Sequence, residues 1–532
     1  MASCYLFTIP PELIVEIFKF LDISSLLWVR EICRAFKSVV DTTAILQYAI
    51  ELHACGAVNA SSSRLDIATR LKRIQAFQKS WGELTFKTKS TIKMSRGGLW
   101  ELFGGVLAQK TQKGRSGFDF YRFPSSIRGI EEKKWNVPSP GFPVRDFCMD
   151  PGQDLLVLLQ TPKISTNSTT YFLHLVSLET SPGEPHSLAP DSKTLEYVQR
   201  ARNRHDTSFI IMISGDYIGL MIQAIPGNGL IVWDWKKGEQ LLCLEGKHMN
   251  SFSFLSDEYV IISATVPGQQ EDEEDDDIDR EPCLAVVNFK KEGKTKRQIN
   301  ELDSVILFRY PPTHDEAFVV HTEIRSDPSS GWHPQLDIDV PFHVSQHNRL
   351  FVVTLYIQTV RGVENVMSFV PMKTLLLHLE SIAQSGGEKK EFMWDEWGPN
   401  GSRLLVSPNM ISHVWACYVY GSRYVGMETL RSDNDTWFCR VYDFNDVGVR
   451  RALVKADEGL TVAEEKTDEE DEERSARTVY QVAPTVIPEK TIFSTASFPL
   501  GLPDSKRCAP MCTEDNLIIV DTSDDEYICY SI

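Results

Sequence analysis

The chain has 532 residues, of which 42% are hydrophobic and 24% charged, a composition typical of a globular protein with more than one domain. Its net charge of −18 comes mainly from two acidic runs, Glu271–Asp279 and Glu464–Glu473. The remainder is nearly neutral and its apolar runs are only strand-length, so we expect no nucleic-acid binding by the main body and no membrane span. Eleven scattered cysteines indicate reduced thiols and an intracellular location, in the cytoplasm, the nucleus or both.

The first forty residues predict a small helical module. Apolar side chains recur there at helical spacing in two groups: Leu13, Ile17, Phe18 and Leu21, then Leu26, Val29, Cys33, Phe36 and Val40. A module of about 40 residues normally needs a disulfide, a metal or a partner to be stable. A partner is the simplest of the three, because no cluster of sulfur or metal ligands is present.

This stretch resembles the F-box family in the order and spacing of its motif. The matching segments are Ile9-Pro10-Pro11-Glu12, Ile17-Phe18, Leu21-Asp22, Leu26 and Ile32-Cys33-(x)2-Phe36. The departures are Ile9 and Ile32, which are conservative in shape, and Ile45-Leu46-Gln47, which stands where the family has Leu-Trp. The resemblance covers less than a tenth of the chain and assigns residues 1–45 to an F-box-like module.

The resemblance implies binding to the small S-phase-kinase-associated adaptor that links F-box proteins to a cullin–RING ubiquitin ligase. It does not separate residues that contact the adaptor from residues that hold the helices together. The combined set that it implies is Ile9, Pro10, Glu12, Leu13, Ile17, Phe18, Leu21, Leu26, Ile32, Cys33 and Phe36.

Residues 46–81 predict a helical linker that packs on the domain after it. Its apolar stripe includes Leu65, Leu71, Ile74 and Trp81. After Trp81 the pattern changes to short runs rich in Val, Ile, Leu, Phe and Tyr, separated by turn residues and without helical periodicity. Residues 82–532 are therefore predicted to form an all-β domain, and the protein as a whole to be mainly β.

The strands of this domain repeat. A strand ending in an aromatic residue or valine recurs at Tyr121, Val176, Trp233, Val287, Val370 and Tyr442. The segment from Gly229 to Gly238 resembles the closing strand and turn of a WD-repeat blade. A period of this length predicts a divergent β-propeller of six or seven blades, and we favour seven. The last strands, Asn516–Asp521 and Glu526–Ile532, are expected to close the ring against the start of the domain.

The two acidic runs fall between predicted strands and are predicted to be loop insertions, at residues 268–281 and 459–477. A basic cluster, Lys290-Lys291 with Lys294–Arg297, follows the first run. We interpret this cluster as a hairpin counter-charged to its acidic neighbour, with a nuclear-import signal as the alternative.

Recognisable catalytic and cofactor motifs are missing from the sequence. His343 and His347 are four positions apart but have no third metal ligand near them in the sequence. Cys508 and Cys512 form an isolated pair. We therefore predict no catalytic residue, no metal and no cofactor. Trp332, Trp394 and Trp397 lie beside turn residues and are candidates for target binding, since exposed tryptophan is typical of binding surfaces. We favour the other interpretation, in which these rings cover outer strands of the propeller.

These observations predict a substrate-recognition subunit of an SCF-type ligase, in which the module binds the adaptor and the propeller binds an unknown target protein. Two alternatives remain. The first is a propeller scaffold outside ubiquitin ligases. The second is a propeller hydrolase or lyase with its active site at the central channel, which the missing catalytic motifs disfavour.

Overall fold

The computed structural model describes residues 9–532 apart from 62, 95–97, 112–116, 201–206, 225–226, 268–279, 314–315, 336–337, 361, 387–388, 407–416, 431–432, 458–493, 500–507 and 522–523. Helices form the N-terminal part, and seven sheets of four or five strands form the rest. The helices of the first part are α1 Pro11–Phe18, α2 Ile23–Ile32, α3 Arg34–Thr42, α4 Ala44–Ala54 and α5 Ile67–Glu83.

The seven sheets are the blades of a β-propeller, and their first strands pack against each other around a central channel. We name the strands of a blade a to d from the channel outward. Strands a to d are Trp100–Phe103, Val106–Lys110, Phe118–Arg122 and Lys133–Val137 in blade 1; Val144–Asp150, Leu155–Gln160, Thr169–Ser177 and Thr194–Gln199 in blade 2; Ser208–Ser214, Tyr217–Gln223, Asn228–Asp234 and Glu239–Gly246 in blade 3; and Met249–Phe254, Tyr259–Pro267, Arg280–Asn288 and Ile306–Arg309 in blade 4.

The last three blades follow the same plan. Their strands a to d are Phe318–Arg325, Leu350–Thr359, Gly362–Pro371 and Arg403–Val406 in blade 5; Val419–Tyr420, Arg423–Leu430, Asp433–Asp443 and Ser494–Pro499 in blade 6; and Cys508–Cys512, Asn516–Asp521, Glu526–Ser531 and Thr88–Lys93 in blade 7. Short additional strands are Lys163–Ile164 beside blade 2, Gly293–Arg297 beside blade 3, Glu391–Phe392 beside blade 4, and the pair Ala57–Asn59 and Phe342–Val344.

The ring is closed by strands from the two ends of the domain. Thr88–Lys93 is the outer strand of blade 7 and pairs antiparallel with Glu526–Ser531. This pairing satisfies backbone groups that would otherwise form an open sheet edge. The predicted closure and the favoured count of seven blades are both confirmed.

The six repeat positions found in the sequence are equivalent in the structure. Tyr121, Val176, Trp233, Val287, Val370 and Tyr442 all lie on strand c, in blades 1 to 6 in that order. Strand c packs between strands b and d and is mostly buried, so each copy retains large apolar residues. The repeat in the sequence therefore identifies the third strand of blades 1 to 6.

The expectation that the β domain lacks helices is wrong. Helices α6 Phe289–Glu292, α7 Met372–Gln384, α8 Trp394–Gly401 and α9 Asp446–Asp457 lie between strands c and d of blades 4, 5 and 6. Helix α7 buries Met372, Leu375 and Ile382, whose spacing is helical and could have been recognised.

In an up-and-down blade the a–b and c–d connections lie at one end, and the b–c and d–a connections lie at the other. We call these ends the linker face and the opposite face, because α4 and α5 pack on the first. The long a–b connection of blade 5, residues 326–349, also lies on the linker face, and we call it the cover segment.

Both acidic runs lie outside the described residues, so their loop character stays a prediction. The first predicted insertion, residues 268–281, extends two residues too far, because Arg280 and Glu281 begin strand c of blade 4. Among the described residues, no helix combines the length and apolarity needed to cross a membrane.

Candidate functional site

Helices α1 to α3 enclose a small apolar core. It consists of Ile14, Phe18, Leu26, Phe36, Val40 and Leu46, with partly buried residues around it. The rings of Phe18 and Phe36 meet edge to face with their centroids 5.4 Å apart. Leu46 belongs to α4, so this core continues from the module into the linker.

Two residues of the predicted motif act as helix caps. The Asp22 carboxylate accepts a hydrogen bond from the Ser25 backbone amide at 2.9 Å, before α2. This bond and one from the Ser25 hydroxyl lower the pKa of Asp22. Cys33 breaks the chain between α2 and α3, and its Sγ accepts a bond from the Phe36 amide at 3.4 Å. The motif therefore specifies where helices begin as well as what they bury.

Five large apolar side chains remain exposed on α1, on α2 and in the turn after α1. Phe20 is 88% exposed, Trp28 75%, Ile32 67%, Leu13 54% and Ile17 48%. Soluble proteins rarely leave so many large apolar side chains together in water unless they form an interaction surface. We call these five residues the exposed apolar face.

The structure divides the predicted adaptor-binding set into three groups. The exposed members are Pro10, Glu12, Leu13, Ile17 and Ile32; the partly buried ones are Ile9, Leu21 and Cys33; and the buried ones are Phe18, Leu26 and Phe36. Burial is consistent with a supporting role for the last group.

The sequence reasoning missed Phe20 and Trp28, the two most exposed members of the face. Both are large and apolar, and each lies two positions after a buried core residue, Phe18 or Leu26; this spacing was the signal available in the sequence. Trp28 lies two positions after Leu26 on α2 and therefore points to a different side of that helix, whereas Phe20 lies in the turn after α1. An apolar residue out of phase with a core stripe is therefore a candidate contact.

A family model of the F-box domain matches residues 6–48, which span these helices and the exposed apolar face. The chain carries an F-box domain. It is joined to a seven-bladed β-propeller, as predicted.

Comparisons over the propeller are distant. Kluyveromyces lactis Hsv2 is similar at 10% identity and a TM-score of 0.35, with 81% of this chain and 90% of that chain covered. A Trp149Ala mutant of Synechocystis apocarotenoid oxygenase is similar at 10% identity and a TM-score of 0.27, with 66% of each chain covered. Likeness at these scores carries no functional information. No match was found among curated proteins.

The F-box domain is joined to the propeller through α4 and α5. The buried Glu51 carboxylate of α4 accepts hydrogen bonds from Nη1 and Nη2 of Arg451 in α9, at 2.6 and 2.7 Å. The Tyr48 hydroxyl donates to the Pro341 carbonyl at 2.8 Å, and Trp81 Nε1 of α5 donates to the Glu514 carbonyl at 3.0 Å. These bonds involve three separate blades, so the linker holds the F-box domain in one place relative to the propeller.

Arg128, between strands c and d of blade 1, organises the linker face. Its Nε and Nη2 donate to the Asp515 carboxylate in blade 7 at 2.9 and 2.6 Å. Its Nη1 donates to the Phe342 carbonyl in the cover segment at 3.0 Å. The guanidinium is buried, and one side chain therefore connects two blades and the cover segment.

None of the three tryptophans considered as exposed target-binding candidates is exposed in the propeller. Trp332 and Trp397 are buried, and Trp394 is partly buried. Trp397 Nε1 donates to the Arg309 carbonyl at 2.8 Å and fixes α8 on blade 4. Trp332 in the cover segment meets Phe103 edge to face. The segment around Trp394 and Trp397 is a helix, not a loop.

The two residue pairs considered as metal ligands are not assembled into a site. His343 is buried, and burial lowers its pKa to about 4. In the described part of the chain, no group of three or more His, Cys, Asp or Glu side chains is arranged to hold a metal ion.

Proposed function

We propose that this protein is a substrate receptor of an SCF-type cullin–RING ubiquitin ligase. The F-box domain binds the S-phase-kinase-associated adaptor, the adaptor connects it to the cullin, and the propeller binds a target protein. The protein acts inside the cell and catalyses no step itself. The observation that carries the proposal is the exposed apolar face on a domain matched by the F-box model.

The chemistry of that face supports adaptor binding. Trp28 and Phe20 offer large rigid rings, and tryptophan is enriched among the residues that dominate interface energies. Covering them with a partner removes apolar surface from water, and about 25 cal/mol is gained per Å² buried. The buried core beneath holds the helices in place, so little conformational freedom is lost on binding.

The rigid linker supports the role of the propeller as target carrier. A receptor accelerates ubiquitin transfer by holding the target near the loaded enzyme, and this effect depends on a defined distance between the two binding surfaces. The Glu51–Arg451 pair and the Trp81–Glu514 bond restrict movement between the F-box domain and the propeller.

The test is co-purification of the full-length chain with the adaptor. The wild-type chain is expected to retain the adaptor, and a Leu13→Ala, Trp28→Ala double variant is expected to retain it at least about tenfold less well. Pro10→Ala with Leu13→Ala tests two exposed residues of the adaptor-binding set that was predicted from sequence alone. Leu377→Ala is the matched control, because Leu377 is 61% exposed on a propeller helix and should not affect adaptor binding.

Failure of the wild-type chain to retain the adaptor contradicts the proposal, as does equal retention by the double variant. Either outcome favours the propeller scaffold outside ubiquitin ligases. Ubiquitin transfer to a bound target by the reconstituted complex then tests the remaining part of the function.

A further inference from the structure

The stretch from Arg64 to Lys93 forms a basic surface on a protein that is acidic as a whole. Eight basic and two acidic residues lie in this stretch, whereas the whole chain has a net charge of −18. The stretch comprises α5 and strand d of blade 7, and the structure describes every residue of it. A local excess of charge opposite in sign to the rest of a chain attracts partners of complementary charge.

Four lysines of this surface are exposed: Lys72, Lys79, Lys87 and Lys89. None of them forms an ion pair with another described residue. Of the two acidic residues in the stretch, Asp66 caps α5 by accepting a hydrogen bond from the Thr69 amide at 3.0 Å. Glu83, the last residue of α5, lies within ion-pair distance of no described lysine of the surface. The positive charge is therefore not neutralised within the described part of the chain.

The basic cluster at residues 290–297 behaves differently, because its neighbours neutralise most of it. The Lys290 ammonium lies 3.4 Å from the Asp257 carboxylate. The Arg297 guanidinium lies 3.1 Å from the Glu292 carboxylate, and Lys296 also forms an ion pair. The chain thus pairs one group of basic side chains internally and leaves the other unpaired, and the paired cluster serves as an internal control.

Aromatic contacts fix the connection between α5 and strand d of blade 7. The Phe86 ring contacts the rings of Trp81 and Tyr530, with centroid distances of 6.2 and 5.8 Å. The Lys87 amide donates a hydrogen bond to the neighbouring strand at 2.8 Å, and Lys89 Nζ lies 5.3 Å from the centroid of the Tyr530 ring. The lysines of the helix and those at the strand therefore belong to one ordered surface.

Strand d of blade 7 also has an open edge. It pairs with strand c on one side, and no described strand pairs with it on the other. In an antiparallel ladder, alternate residues bond to the neighbouring strand and the residues between them point their backbone groups away. Met94 donates its amide to the Asp525 carbonyl at 2.7 Å in this register. Lys89 and Thr91, at the intervening positions, therefore present their backbone N–H and C=O groups on the open edge.

An extended peptide segment can pair with such an edge. Main-chain hydrogen bonds then supply affinity, and side chains supply specificity. A partner residue opposite Lys89 would have its Cβ atom about 5 Å from that of the lysine, close enough for a carboxylate to pair with the ammonium group. The same lysines repel basic strands and second copies of this edge. The edge therefore selects an acidic strand.

The two ends of the strand differ in how much charge they offer. Lys93 forms an ion pair with Glu526 of the paired strand. Lys87 and Lys89 have no such partner among the described residues, so the end next to α5 carries the unpaired charge.

We propose that the open edge of strand d in blade 7 binds an extended acidic segment of the target protein, with its carboxylates beside Lys87 and Lys89. This inference rests on the proposed function and specifies the class of target that the propeller recognises. Lysines also attract the phosphates of a nucleic acid, but a nucleic acid cannot pair with the backbone groups of a strand edge. An acidic peptide segment uses both features of the surface.

The test measures binding of peptides to the full-length chain in complex with the adaptor, by calorimetry. The acidic peptide is acetyl-Thr-Glu-Val-Glu-Val-Glu-Thr amide, and its neutral counterpart has glutamine in place of each glutamate. The acidic peptide is expected to bind about tenfold more tightly, because only this peptide carries charges that attract the lysines. Equal affinity of the two peptides, or no binding by the acidic one, overturns the inference.

Two methylated forms of the acidic peptide test the strand pairing. Residues opposite Lys89 and Thr91 place their side chains on the lysine side and point their own amides at the edge. N-methylation of the glutamate amides is therefore expected to weaken binding about tenfold, and N-methylation of the valine amides to leave it nearly unchanged. Equal affinities of the two methylated forms contradict pairing with this edge.

A Lys87→Gln, Lys89→Gln double variant is expected to bind the acidic peptide about tenfold less tightly than the wild type. It should fold, since both side chains are exposed. The matched control is Lys291→Gln with Lys294→Gln, which removes two exposed lysines from the cluster at residues 290–297 and should bind as the wild type does. Unchanged binding by the first variant, or an equal loss in the control, refutes the site.

A competition experiment separates the two classes of acidic partner. An oligothymidylate that displaces the acidic peptide with equal or higher affinity would assign the surface to nucleic acid and overturn the inference. Adaptor retention by the Lys87→Gln, Lys89→Gln variant separates these outcomes from failure of the proposed function. A chain that retains the adaptor but shows no preference for the acidic peptide refutes only the strand-edge site.

Discussion

The F-box domain and the propeller differ in how much of their apolar side chains they leave exposed. Among the described residues, six of the fourteen exposed large apolar side chains lie between Leu13 and Ile32. In the propeller, runs such as Leu155–Leu159 in strand b of blade 2 are at most 1% exposed at every residue. The propeller buries most of its apolar residues between neighbouring blades of a closed ring and shares one core with α4 and α5. The F-box domain has a core of six buried residues and leaves six large apolar side chains between Leu13 and Ile32 exposed.

The largest expected effect on stability tests the ion pairs that join neighbouring blades of the propeller. Arg128→Ala should lower the free energy of unfolding by about 4 kcal/mol, because it leaves the buried Asp515 and Glu514 carboxylates without their cation. Urea unfolding monitored by tryptophan fluorescence measures the change. Lys134→Ala, at an exposed position in the same blade, should change it by less than about 0.5 kcal/mol. Equal effects from the two substitutions would contradict the role given to Arg128.

The next effect concerns the small core of the F-box domain. Phe36→Ala should destabilise α1 to α3 by about 3 kcal/mol, because it leaves a cavity beside Phe18. Hydrogen exchange resolved along the chain should show faster exchange in these helices and unchanged protection in blades 1 to 7. Phe20→Ala is the matched control, since Phe20 is 88% exposed and contributes little to this core. Loss of protection in the propeller as well would show that the two regions unfold together.

A smaller effect is expected where the two regions join. Arg451→Ala should lower stability by about 2 kcal/mol, because it removes two charge-assisted hydrogen bonds from the buried Glu51 carboxylate. Hydrogen exchange in α4 and α9 reports this change directly. Substitution of Arg450, the exposed neighbour on the same helix, should have no measurable effect. If the two variants behave alike, the Glu51 pair does not hold the linker.

The smallest effect on stability is the most diagnostic for binding. Trp28→Ala should change the free energy of unfolding by less than about 0.5 kcal/mol, since its ring is 75% exposed in the isolated chain. Trp81→Ala, by contrast, should cost about 3 kcal/mol, because Trp81 is buried and bonded to Glu514. Thermal unfolding with and without the adaptor should show that Trp28→Ala loses stabilisation only when the adaptor is present.

Sequence reasoning succeeded where structure depends on neighbours along the chain. The F-box motif was recognisable because its caps and core residues lie within forty positions of each other. The strand c repeat was recognisable because each blade repeats the same burial pattern. Helix α7 was missed because its apolar spacing lies within a region dominated by strands. The functions of Trp332 and Trp397 were missed because their burial depends on residues far away in the sequence.

By itself, the sequence determined the F-box domain, the mainly β character and the repeated strand pattern of the propeller, because local periodicity encodes each of them, while the blade count stayed at six or seven with seven favoured. Only the tertiary structure decided which apolar side chains of α1 to α3 remain exposed, since that depends on how the helices pack. It also decided that Glu101, Asp146 and Asp327 line one cavity in the propeller. Those three carboxylates are separated by 45 and 181 positions in the sequence. Closure of the propeller ring brings them together.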